Sequence, residues 1–115
     1  EILNLGLELE MSLKNNTNPQ SALSSIRGKL FEEINLVSPE IGQHFSIGMV
    51  EEILNSMPII MRVSKIKLVV KNGEEYSDTR IDIKNNMSLD GGSLIIPQNI
   101  IWEIKNKKDI KGKII

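Results

Sequence analysis

The stretch LNLGLELEMSL at 3–13 alternates apolar and polar residues without a break. Leu3, Leu5, Leu7, Leu9, Met11 and Leu13 fall on one side, and Asn4, Gly6, Glu8, Glu10 and Ser12 on the other. Successive strand side chains point to opposite faces of a sheet. A helix would instead repeat its apolar positions every three or four residues. The chain must therefore build a sheet around one long strand, with a dry face and a wet face.

The NNTN stretch at 15–18 ends this strand. Asn18 before Pro19 predicts a helix start, with Asn as cap and Pro in the first turn, where its missing N–H costs nothing. Leu23, Ile26, Leu30 and Ile34 then recur at helical spacing, with Arg27, Lys29, Glu32 and Glu33 on the wet side. LVSPEIGQHF connects to a second helix, capped by Ser46, striped by Ile47, Val50, Ile53, Leu54 and Met57, and ended by Pro58. Ile66, Leu68 and Val70 predict a strand. Asn72-Gly73 is a hairpin signal, with residues 76–83 as the expected return strand. Residues 94–96 and 100–104 predict two more strands, and the charged tail NKKDIKGKII is broken at Gly112. The expected fold is α+β, in the order β-α-α-β-β-β-β, with two helices packed on one face of a largely antiparallel sheet. Residues 1–115 are expected to form a single assembly domain. The chain opens in strand sequence with no initiator Met, as expected of the C-terminal part of a longer chain.

A length of 115 residues suffices for a hydrophobic core without staples. The absence of cysteine excludes disulfide and thiolate chemistry. A net charge of −1 gives no basic excess for a nucleic-acid backbone, and 3% aromatic residues is thin for base or sugar stacking. No apolar run reaches the roughly 18–20 residues that span a bilayer, and the glutamates within EILNLGLELEM exclude a signal peptide.

DIKNNMSLDGGSLIIP at 82–97 is the first candidate for chemistry. As a calcium loop it lacks carboxylates: Asn85, Asn86, Ser88 and Asp90 supply one between them, and the closing Glu is missing. As a phosphate loop it lacks the glycine pattern and is followed by a strand where a helix should begin. The remaining reading is a hairpin tip in which Asp90-Gly91-Gly92 supplies positive φ angles. His44 is the only histidine and stands alone in a connector. Asp78 and Asp82, on one face of the expected return strand with Arg80 between them, could do acid–base work but read better as a solvated charge ladder. Glu51–Glu52 and Lys107–Lys108 read as solvent-facing. Trp102 alternates with Ile100 and Ile104, while Ile101 occupies the other face, so that strand is apolar on both sides. A partner covering one face follows, and Ile95, Ile101 and Trp102 are the candidate interface residues.

Two blocks carry a family resemblance. SPEIGQHFSIGMVEEILNSMPIIMRVSKIKL resembles a segment of baseplate-J-like proteins in which a short turn opens a helix that leads to a strand. NGEEYSDTRIDIKNNMSLDGGSLIIPQNIIWEIKNKKDIKGKI is similar to the C-terminal region of the baseplate wedge protein of T4-like contractile-tailed bacteriophages. There a YSD-x-R-x-DI strand leads through a D-G turn to an I-P-x-N strand and a DIKG-like end. The matching positions are Tyr76, Ser77, Asp78, Arg80, Asp82, Ile83, Asp90, Gly91, Ile96, Pro97, Asn99 and residues 109–112. The similarity spans about residues 18–113, and residues 56–60 depart from it by replacing a Pro-Gly-Val type turn with Ser-Met-Pro-Ile-Ile. The resemblance implies a non-catalytic structural protein of the virion, located in the tail baseplate and assembled in the host cytoplasm. Its partners would be copies of itself and other wedge proteins, joined into a ring around the tail hub that rearranges when the sheath contracts. It implies no cofactor, metal, nucleic acid, membrane or small-molecule substrate. The alternative expectation is a free-standing, non-catalytic protein-interaction module in the host cytoplasm. A third, a small hydrolase using Asp78 and Asp82, has less behind it.

Overall fold

The computed structural model describes residues 1–14 and 18–115. Most of the NNTN break, at 15–17, lies outside the described residues. The elements are β1 (Ile2–Leu13), α1 (Pro19–Asn35), β2 (Phe45–Ser46), α2 (Ile47–Asn55), β3 (Ile60–Val70), β4 (Ser93–Leu94), β5 (Ile101–Glu103), a 3₁₀ turn (Lys107–Asp109) and β6 (Ile110–Ile114). The fold is α+β, with two helices and a mostly antiparallel sheet.

The alternating stretch is the centre of the main sheet. Along one side β1 pairs antiparallel with β3. Along the other it pairs parallel with β5 at residues 2–4 and with β6 at residues 7–11. Its leucines face the core: Leu3, Leu5, Leu7 and Met11 are fully buried, and cross-strand rows such as Ile110–Leu7–Leu68 continue the apolar layer. α1 packs on β6 and α2 on β3, so both helices cover this face.

The helix starts follow the capping chemistry. Asn18 Oδ1 accepts from the backbone N–H of Gln20 and Ser21 at 3.0 and 3.1 Å. Ser46 Oγ accepts from Met49 N–H at 3.0 Å. The buried stripe of α1 is Ala22, Ile26, Leu30 and Ile34, with Leu23 only half-buried. α2 ends at Asn55, before Met57 and Pro58, and Met57 reaches the core from the turn that follows. That turn needs no glycine: Ile60 N–H closes it on Met57 C=O at 3.2 Å.

Three expectations are corrected. Residues 76–83 form no return strand. Asn72-Gly73 does turn the chain, with Gly73 at φ 121° and Tyr76 N–H bonded to Gly73 C=O. Beyond it, polar side chains close local turns. Ser77 Oγ accepts from Thr79 N–H at 3.2 Å, and Asp82 Oδ1 from Asn85 N–H at 3.3 Å. Such bonds compete directly with a strand ladder. The strands expected at 94–96 and 100–104 shrink to Ser93–Leu94 and Ile101–Glu103. The charged tail is not broken at Gly112 but forms β6, where the missing side chain leaves room for Leu23 of α1.

Candidate functional site

The loop at 82–97 is a hairpin. Ser88 N–H bonds Ser93 C=O at 2.8 Å, Ile95 N–H bonds Asn86 C=O at 2.7 Å, and Met87 bridges Leu94 antiparallel. Gly91, at φ 72°, supplies the positive angle the tip requires; Gly92 does not share it. Asp90 is occupied in shaping the tip. It accepts from Ser88 Oγ–H at 2.7 Å and from Gly92 N–H at 2.9 Å, bonds that hold its carboxyl below the usual range. Among the described residues no three metal-ligating side chains come together.

The structure does not bring Asp78, Arg80 and Asp82 onto one strand face, because there is no strand. Asp82 binds Asn85 Nδ2 at 2.7 Å, while Arg80 reaches Asn72 Oδ1 at 3.4 Å. The charge ladder expected there is therefore absent. His44 is exposed in its connector, and Glu51, Glu52, Lys107 and Lys108 are exposed as expected. Lys108 pairs with Glu75 at 2.7 Å, which lowers the carboxyl's pKa and raises that of the lysine.

Residues 71–79 instead cross the second face of the sheet, and a buried polar cluster forms beneath them. Asn4, 2% exposed, accepts from Ser77 N–H at 2.7 Å and donates to Glu103 at 3.1 Å. Tyr76 O–H donates to the buried Asp109 at 2.5 Å, which pushes the phenol pKa up to about 12. Lys105 Nζ donates to Glu75 C=O and, with Lys71, lies within 6 Å of the Tyr76 ring (5.7 and 5.9 Å). Gly6 lets the 3₁₀ turn sit close against β1, since a Cβ there would meet Asp109 C=O at 2.9 Å. All of these groups act as fasteners between loop, 3₁₀ turn and sheet.

Of the candidate interface residues, Trp102 points inward. It is 3% exposed and meets Phe45 edge-on, with ring centroids 4.8 Å apart. Its Nε1–H and Asp109 Oδ2 find no hydrogen-bond partner among the described residues. Ile101 is half-buried beside Ile2, and Ile95 is exposed at the base of the hairpin.

The rest of the second face is open and charged. Glu8 lies between Lys67 and Lys111, and Glu10 between Lys65 and Lys113. Among the described residues of this face only Lys65–Glu10 closes to an ion pair, at 3.7 Å. Arg62 extends the basic row opposite Ser12. Four lysines thus bracket two glutamates, and both outer strands are basic. The spacing Glu-x-Glu at 8 and 10, matched by Lys-x-Lys at 65 and 67 and at 111 and 113, was the sequence signal for this face. Beside it, a groove of about 550 Å³ runs between β3 and α2, walled by Ile47, Glu51 and Asn55 on one helix stripe and closed by Met87 and Gly91 of the hairpin.

Comparison of the chain with protein-family models, with curated proteins and with solved structures gave no match.

Proposed function

We propose that this domain is a structural part of a contractile-tail baseplate wedge, joining neighbouring subunits into the ring around the tail hub. Its partners are copies of itself and other wedge proteins, and its place is the virion. The reading starts from the two sequence blocks, and what the fold does with their residues carries it. Tyr76 fastens a loop to Asp109, Asp82 and Asp90 shape turns, Ile96 enters the core, and residues 109–112 lead into β6. Side chains that close turns and fasten a loop to the sheet suit an architectural role.

Function then lies in surfaces, through complementary packing of subunit on subunit. The purified domain is expected to self-associate in sedimentation, or to co-purify with the products of neighbouring tail genes. A chain that stays monomeric at high concentration and binds no baseplate protein would overturn the reading.

A further inference from the structure

The outer edge of β3 is open. β3 ends the strand order of its sheet, and between residues 61 and 69 its backbone makes no main-chain bond outside the β1 ladder among the described residues. The expected return strand at 76–83 would have covered this edge, but the chain crosses the sheet instead. An open edge is a template for a further strand. Its near half is irregular, because register shifts leave Met61 and Ser64 without partners on β1. Its far half, from Lys65 to Val70, is regular.

The charge pattern states what could pair there. Across the open face the order is basic, acidic, basic: Lys111–Glu8–Lys67 and Lys113–Glu10–Lys65. Opposite charges across strands stabilise a sheet and like charges destabilise it. A second copy of β3 would set lysine against lysine and is disfavoured. An incoming strand must carry acids two residues apart on the open face. Its alternate residues would turn toward the helix side, where Ile47, Val63 and Ile66 line the groove. That is the pattern of Glu8-Leu9-Glu10 in β1 itself, which already satisfies β3 along its other edge.

We infer that the edge of β3 is a docking site for an extended acidic–apolar–acidic segment of a neighbouring protein, which adds a strand opposite Lys65 and Lys67. This deepens the assembly reading and rests on it for the source of the strand, an adjacent subunit.

The test uses the full chain and a labelled synthetic peptide with TVELEVT at its centre, against a counterpart in which both Glu are Lys. The acidic peptide is expected to bind, to weaken with salt, and to slow amide exchange at residues 65–69. The basic counterpart is expected to bind roughly fivefold to thirtyfold less tightly. Lys65→Glu with Lys67→Glu should reverse that preference. If this doubly altered chain fails to fold, the two peptides compared on the unaltered chain still decide. Equal binding of both peptides, no binding, or exchange protection away from β3 would overturn the inference. If the peptide is ignored while the chain still joins wedge proteins, the edge proposal fails and the assembly reading stands. If the peptide binds but no wedge protein does, the edge is a docking site and the assembly reading fails.

Discussion

At the scale of single residues, Tyr76 makes the sharpest claim. It donates to Asp109 only while it is neutral, so its phenol holds its proton to about pH 12, against an ordinary value near ~10. A group that keeps its proton longer in the fold stabilises below the unfolded pKa, and that contribution is lost as pH rises through the folded one. The stability gap between the unaltered chain and Tyr76→Phe should therefore narrow between about pH 10 and about pH 12. Tyr76 is the only tyrosine, so phenolate absorbance reads the site directly, and a native midpoint at the ordinary value would refute the contact. Trp102 gives a second test. Buried against Phe45, it should cost ~3–5 kcal/mol as Trp102→Ala in denaturant unfolding. Trp102→Phe should cost less, since it also removes an N–H that lacks a partner. A surface anchor would show almost no change. Asn18 and Ser46 were legible as caps because their partners lie within three residues. Asn4 and Tyr76 were not, because theirs lie 99, 73 and 33 positions away.

At the scale of elements, period and capping located β1, α1 and α2 because each signal is contained within its own segment. At 76–83 alternation does not make a strand, because the side chains have nearer partners. Gly112 is the converse case. Lys111 and Lys113 looked like a solvated tail, and only pairing with β1 places them on the wet face, with Ile110 and Ile114 turned to the other side. Gly6 tests how closely the 3₁₀ turn packs against β1. A Cβ there would meet the backbone C=O of Asp109 at 2.9 Å and the branched side chain of Val69 at 3.0 Å. Gly6→Ala should destabilise by ~1–3 kcal/mol and loosen the Tyr76–Asp109 contact, read as a phenol midpoint returning toward its ordinary value. Unchanged stability and an unchanged midpoint would show that the turn does not press on β1.

At the scale of the whole molecule, the fold depends on pairings that span nearly its full length. β1 takes β3 on one side from the middle of the chain, and β5 and β6 on the other from its last residues. Such non-local contacts must close long loops before they repay the entropy, so folding is expected to be slow and cooperative. The sequence announces a central strand but cannot by itself say which strands flank it. Only the matched Lys-x-Lys and Glu-x-Glu spacings hint at the neighbours. β6 carries the decisive test. Ending the chain after Asn106 removes the parallel partner of residues 7–11, takes the fully buried Ile110 from the core, and strips Tyr76 of Asp109. It also bares a second edge, on β1, a strand without lysines of its own to discourage pairing. The shortened chain should lose its cooperative unfolding transition and scatter light on standing, whereas Leu89→Ser, at the exposed hairpin tip, should change neither. A shortened chain that still unfolds cooperatively as a monomer would show that β1, β3 and the helices suffice, and that β6 belongs to the contact surface and not to the core.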